Sequence, residues 1–424
     1  MEKTQKTQPE FRQVTVMILM SIFQLVCAVC VISAEKTVNL HLVYIFSGFI
    51  AAEWLYMMFG VMITGNDYFE LEAIAFFLSG IGLTVCASFN ETFAIKQIIA
   101  IGLGLLTYIF ILLIIKDVRI ACALRYPAAI LSVLLLISNL ILAKTVNGTL
   151  NWIEIGPFSF QPSELVKVAF ILVGAASLDK LLSNISIVKY IVYSLSCVGL
   201  LFLMRDFGTA LIFFFTFILI AYMRSGDVKT IFLICAVALM GAVLIISFKP
   251  YIAGRFEAYR HIWEMKNEGG YQQTRVLIYS SSGGLFGLGL GDGKLRNIFA
   301  SSTDLVFGLI CEEMGLIIGF AVLFSFACIA IFAVKAAGYS ASAFYAITAV
   351  SAAGMLLFQL SLNVFGITDL LPLTGVTLPF VSRGGSSMIC SWGILAYIRA
   401  AGAPFKLPPS DISVNKRRKK DKAA

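Results

Sequence analysis

The sequence predicts an all-α polytopic membrane protein with about twelve transmembrane helices. Three observations carry that expectation. Hydrophobic residues make up 59% of the 424 and charged ones 13%, with a mean hydropathy of +0.91, far from a soluble composition. Apolar runs of about 20 residues, enough to cross a bilayer as a helix, recur along the chain, whereas a membrane barrel would show short alternating segments. The formal net charge of +8 gathers in the tails, with Lys3, Lys6 and Arg12 at one end and Lys416-Arg417-Arg418-Lys419-Lys420 at the other. Beside a membrane span such runs mark the cytoplasmic side and anionic lipid rather than a nucleic-acid surface.

Five spans come first, at 14–34, 40–64, 70–88, 97–116 and 125–144. A polar loop over 145–161 leads to four more, at 163–182, 187–204, 207–223 and 229–249. A long connection precedes the last three, at 304–334, 341–366 and 374–401. Basic tails on one side require an even number of spans; twelve put Arg119, Arg125, Arg224, Lys229 and Lys335 in cytoplasmic loops, and the two polar connections outside. The chain therefore divides into a cytoplasmic basic N-terminus (1–13), one transmembrane domain (14–402) with a large extracellular connection (250–303), and a cytoplasmic basic tail (403–424). The first apolar run lacks a signal-peptide cleavage pattern and is expected to remain as a span.

Composition also narrows the chemistry. Nine cysteines are scattered, mostly in apolar runs; the single Cys27-x-x-Cys30 reads as buried small hydrophobes rather than a redox or zinc site. Two histidines, His41 and His261, leave little for a His-based centre. The glycine-dense stretch Ser282-Gly283-Gly284-Leu285-Phe286-Gly287-Leu288-Gly289-Leu290-Gly291 invites a nucleotide reading. However, Gly293-Lys294 lacks the following Ser or Thr, and Leu288 stands where a P-loop needs glycine.

What remains is a set of polar residues at membrane boundaries. Gln161-Pro162-Ser163-Glu164 reads as a helix start, since proline suits the first turn and an acid suits the helix N-terminus. Glu164 and Lys167, three apart, share a helix face, as an ion pair or as a functional pair facing a cavity. Arg205-Asp206 forms a tight outer turn, with Asp206 either a cap or a site residue. Arg255, Arg260 and His261 with interleaved aromatics suit an interfacial phosphate or a surface-lying helix. Ser301-Ser302-Thr303-Asp304 reads as an N-cap cluster opening a helix that carries Glu312-Glu313 about 12 Å further on. Those two acids, at membrane depth, should be paired, protonated or cavity-lining. Prolines and glycines from Leu371 to Ser387 break an apolar stretch, which is tolerated only where backbone is buried in protein or lines a cavity.

Together these constellations resemble the SEDS family of bacterial cell-wall proteins, the group that includes FtsW, RodA and SpoVE. The carrying residues are Asn147-Gly148 with Trp152, Gln161-Pro162-Ser163-Glu164 with Lys167, and Asp206-x-Gly208-Thr209. They continue with Gly283-Gly284-x-x-Gly287-x-Gly289, Thr303-Asp304 with Glu312-Glu313-x-Gly315, and Leu371-Pro372 through Ser382-x-Gly384-Gly385-Ser386. Arg205 stands where the family usually carries proline, and Arg383 where tyrosine is common. A family-like ten-helix core with an extra N-terminal pair would account for the span count.

The resemblance implies a peptidoglycan glycosyltransferase of the bacterial cell membrane that polymerises lipid II into glycan strands for division, elongation or sporulation. It implies a class B penicillin-binding transpeptidase as partner, in contact with membrane lipid and without nucleic acid. Asp304 matches the family's essential acid, and Glu164, Lys167 and Asp206 its other polar positions. Gln161, Glu312 and Ser382 would support the site, with Lys167, Arg205 and Arg255 as cations for a pyrophosphate leaving group. Dependence on a divalent cation, Mg or Mn, is a family-level implication; the sequence shows no ligand set. A lipid II flippase and a non-enzymatic scaffold for the transpeptidase are the rival readings.

Overall fold

The computed structural model describes residues 7–34, 39–64, 69–146, 149–155, 158–178, 184–229, 232, 258–340 and 342–402. The first five helices are α1 (Thr7–Ala34), α2 (Leu40–Thr64), α3 (Glu70–Phe89), α4 (Glu91–Ile115) and α5 (Val118–Leu142). A small antiparallel sheet follows, in the order β1 (Lys144–Val146), β2 (Thr149–Ile155), β3 (Phe158–Phe160). Then come α6 (Pro162–Leu178), α7 (Asn184–Leu203), α8 (Phe207–Ser225) and α9 (Tyr271–Ser282), and a 3-10 turn at Leu295–Asn297. The last are α10 (Val306–Glu313), α11 (Leu316–Tyr339), α12 (Ala343–Ile367) and α13 (Gly385–Ala401).

Eight of the described helices, α1 to α5, α8, α11 and α12, are long and apolar enough to cross a membrane. Their lipid-compatible faces carry large exposed apolar side chains, such as Leu19, Val29, Leu106, Ile141 and Phe324. The chain is a multi-pass helical membrane protein. The shorter α6 and α7 match two further predicted spans, whereas of the span expected at 374–401 only 385–401 is helical, as α13. All of the predicted span at 229–249 except Lys229 and Phe232, residues 1–6 of the basic N-terminus, and the whole tail over 403–424 lie outside the described residues.

Three expectations are corrected. The polar loop at 145–161 is the β1–β3 sheet, with Ile153 opposite Phe160 and Ile155 opposite Phe158. The predicted span at 304–334 is two helices, broken at Met314-Gly315, where Gly315 adopts φ +88°; a Cβ there would run into the Leu285 carbonyl. The long connection contains a helix of its own, α9. By contrast, Leu371–Gly384 is non-helical, as its prolines and glycines require.

The described residues form two compact units. The first comprises Met1–Leu105, Ala258–Ile329 and Leu360–Trp392. Its core is aromatic: Trp392 packs edge-on to Phe76 and Phe380 and donates its indole N–H to Ser79 at 3.2 Å. Gly82 on α3 lies against the main chain of Val381 so closely that a Cβ would clash. This seats the broken segment before α13 directly on a helix.

The second unit comprises Leu106–Glu257, Ala330–Gln359 and Gly393–Ala424. Phe170 on α6 stacks on Tyr193 of α7 and meets Phe213 of α8 edge-on. Tyr397 O–H donates to the Val168 carbonyl at 2.9 Å. Gly226, in the left-handed conformation at φ +63°, ends α8, a conformation glycine reaches without a Cβ penalty.

Candidate active site

Asp304 belongs to a turn over 301–305, just before α10. Leu305, not the Ser-Ser-Thr-Asp cluster, is the N-cap residue of α10, and no side chain caps it. The cluster is fixed differently. Ser382 Oγ donates to the Thr303 carbonyl at 2.5 Å while accepting from Leu378 N at 2.8 Å. Arg383 N donates to the Ser302 carbonyl at 2.8 Å. Asn363 of α12 donates from Nδ2 to the Asp304 carbonyl at 2.8 Å and the Val376 carbonyl at 2.7 Å. The three bonds that reach residues 302–304 end on main-chain carbonyls, so the clamp fixes this turn through its backbone. A Cβ placed on Gly375 would lie 3.4 Å from Asp304 Oδ2, so the carboxylate rests close to the Gly375 backbone.

Glu312 and Glu313 are buried at the end of α10. Glu312 accepts from Lys294 N at 2.7 Å and Leu295 N at 2.9 Å, and Glu313 from Gly291 N at 3.1 Å. Their main-chain carbonyls accept from Leu288 N and Gly289 N at 2.9 and 3.1 Å. The glycine-dense loop is therefore a cradle of amides for two acids, and close approach explains its composition. At Gly287, with φ +84°, a Cβ would strike the Glu313 carbonyl. Burial raises the Glu313 carboxyl above its usual range, partly offset by the Gly291 amide and Arg296. Arg296 in turn donates to the carbonyls of Gly291 and, at 2.7 Å, Ser88. The acids are thus held by backbone amides, an arrangement not among the three expected.

The second unit holds its own polar cluster. Lys167 Nζ, only 1% exposed as a residue, donates to Glu164 at 2.8 Å and to Gln359 at 2.9 Å. Asp206 caps α8 by accepting from Thr209 N at 3.1 Å, and Gln161 Nε2 reaches its other oxygen at 3.4 Å. Burial raises the Asp206 carboxyl above its ordinary value; the Thr209 amide and the Lys167 charge oppose the shift and Glu164 adds to it. Leu150 N, on β2, donates to the Met204 carbonyl at 3.1 Å, tying the sheet to the α7–α8 turn. Arg205 in that turn is exposed and has a positive φ of 61°.

The expected site residues thus fall into two sets: Asp304, Ser382 and Glu312 in the first unit, and Gln161, Glu164, Lys167, Arg205 and Asp206 in the second. Arg255 lies outside the described residues. Asn363 and Gln359 are participants that the sequence reading missed. Both are polar residues inside an apolar span, and that alone was the available signal. Among the described residues, no three of His, Cys, Asp or Glu cluster in a way that could hold a metal ion.

Residues 73–402 match the family model for FtsW/RodA/SpoVE cell cycle proteins; α1 and α2 precede the match. A probable peptidoglycan glycosyltransferase FtsW from Buchnera aphidicola subsp. Acyrthosiphon pisum is 32% identical over 270 residues, covering 61% of this chain and 68% of the relative. Stage V sporulation protein E of Bacillus subtilis is 30% identical over 321 residues, covering 72% and 86%. Among solved structures, one from work on the structural coordination of polymerization and crosslinking by a peptidoglycan synthase complex contains a similar chain. It shares the fold with a TM-score of 0.67 at 24% identity, over 79% of this chain and 97% of that one.

Proposed function

The chain belongs to the FtsW/RodA/SpoVE family of cell cycle proteins, and from that premise we propose that it is a peptidoglycan glycosyltransferase polymerising lipid II. Curated relatives bearing that activity in their names support the reading. In this account Asp304 is the general base. Its carboxylate takes the proton from the 4-hydroxyl of the acceptor lipid II sugar. The freed oxygen bonds to the anomeric carbon of the growing strand, and the bond from that carbon to undecaprenyl pyrophosphate breaks. A carboxylate in hydrogen-bond reach of a reacting hydroxyl supplies about 10²–10⁴-fold.

The observation that carries the assignment is the clamp on residues 302–304. Three separate groups, Asn363, Ser382 and the Arg383 amide, fix that main chain. Such investment in one turn is what a base held to near-attack geometry needs. Within the second unit Lys167 is held by Glu164 and Gln359, and with Asp206 and Gln161 these form a separate buried polar cluster that keeps the start of α6 and the α7–α8 turn in order. Glu312 supports the account indirectly, by holding the loop that leads to Asp304.

In this account both termini are cytoplasmic and Asp304 works at the outer face. The partner is a class B penicillin-binding transpeptidase, in line with a structural neighbour drawn from a synthase complex. Asp304→Asn is the first test. It keeps the side-chain shape and removes the base, so a folded variant that makes no polymer supports the role, and a folded variant that still polymerises refutes it.

A further inference from the structure

We propose that Arg383 and the first turn of α13 form a binding site for a lipid-linked diphosphate; the proposal rests on the glycosyltransferase reading above and assigns the place where that substrate's diphosphate is held. Arg383 stands two residues before α13. Its guanidinium carbon lies 3.9 Å from the centre of the Phe93 ring, a stacking contact that orients the planar head while leaving its five N–H donors for other use. No carboxylate pairs with it among the described residues, and partial burial draws its pKa below the ordinary value. A half-buried cation without a counter-charge is costly, and an anionic ligand removes the cost.

The adjoining helix supplies the complementary donors. Met388 N pairs with the Gly384 carbonyl, whereas the amides of Gly385, Ser386 and Ser387 have no acceptor among the described residues. These are the first-turn N–H groups that a helix cannot satisfy internally, and they carry its positive dipole end. The Ser386 hydroxyl in the same turn is only 5% exposed as a residue and has no hydrogen-bond partner among the described residues. A buried unpaired hydroxyl is rare unless a ligand or water completes it. A guanidinium, three free amides and a hydroxyl within five consecutive residues match the acceptor-rich surface of a diphosphate.

Its placement suits the reaction. Arg383 N is bonded to the Ser302 carbonyl, two residues from Asp304, so the anion site and the proposed base share one clamp. Where tyrosine is common in the family, this chain supplies a fixed cation.

The test uses the full chain in nanodiscs of zwitterionic lipid, titrated with farnesyl diphosphate by calorimetry. Arg383→Ala and Ser386→Ala should each weaken binding, the first by about tenfold or more, as loss of a charge-assisted contact predicts. Arg383→Tyr replaces the guanidinium with a planar aromatic side chain that can still pack on Phe93, and guards against misfolding. It should lose affinity to a similar extent with an unchanged thermal midpoint. Unaltered affinity in a folded Arg383→Tyr variant overturns the site. Equal competition by phosphatidylglycerol nanodiscs would assign the positive charge to bulk headgroups and also overturn it. If wild type binds farnesyl diphosphate through Arg383 but makes no polymer from lipid II, the anion site stands and the glycosyltransferase reading fails.

Discussion

Asn363 holds Asp304 by the main chain: its Nδ2 donates to the Asp304 carbonyl at 2.8 Å and, on the other side, to the Val376 carbonyl at 2.7 Å. One amide on α12 thus fastens the turn before α10 to the broken segment before α13. Asn363→Ala should destabilise the protein by about 1–3 kcal/mol, the cost of leaving such a group unpaired. It should also lower polymerisation by about tenfold to a hundredfold through misplacement of the carboxylate. A thermal midpoint and an initial rate on the same preparation check both. A loss of stability with full activity would mean that the clamp does not position the base.

Glu312 offers a second anchor. Both of its oxygens accept main-chain amides, from Lys294 and Leu295. Glu312→Gln keeps one acceptor but turns an NH2 group towards a buried N–H. The loop over 283–297 should loosen, with a cost of about 1–3 kcal/mol. Hydrogen exchange at the amides of 294 and 295 should speed up by at least tenfold, while amides in α3 keep their protection.

The glycines should divide sharply. Gly287→Ala puts a methyl group into the Glu313 carbonyl at a positive φ, which costs about 1–3 kcal/mol from the backbone conformation alone. Gly102→Ala and Gly199→Ala meet nothing within 4 Å on their helices and should be neutral or stabilising by up to about 1 kcal/mol. Thermal midpoints in one detergent measure all three.

Asp206 sets a pH dependence. Burial raises its carboxyl in the folded protein, so the folded state holds this proton more tightly than the unfolded chain does. Its contribution is fully present below the unfolded value of about pH 4 and is lost as pH rises through the folded value. Asp206→Asn retains an oxygen for Thr209 N and does not titrate. The stability of wild type relative to this variant should therefore fall as pH is raised from about 4, which a series of melting curves reads directly.

The sequence exposed most of the helices because apolar runs of spanning length need no tertiary context. It also marked the start of α6 at Pro162, the Glu164–Lys167 spacing, and the interruption between Leu371 and Ser387. The break at Gly315 was hidden because Glu312 to Leu316 sits inside an apolar stretch. Only the packing of Gly283 and Gly287 against the end of α10 reveals it. The partners of Glu312 and Glu313 are backbone amides, which no pairing of side chains could have suggested. The sheet before α6 did leave a trace. Asn147-Gly148 is a hairpin turn signal, and Thr149 to Trp152 alternates polar with apolar. Asn363 is a single polar letter in an apolar helix, and its two acceptors lie 13 and 59 residues away.

Whether this chain joins sugars, with Asp304 doing the proton chemistry, is open to a direct assay. The most direct measurement supplies labelled lipid II to the purified protein, alone and with its cognate transpeptidase, beside Asp304→Ala, and separates the products by length. Wild type should yield glycan polymer and the variant none at equal folding. No polymer from wild type even with the partner present, or polymer from a folded Asp304→Ala, would contradict this assignment.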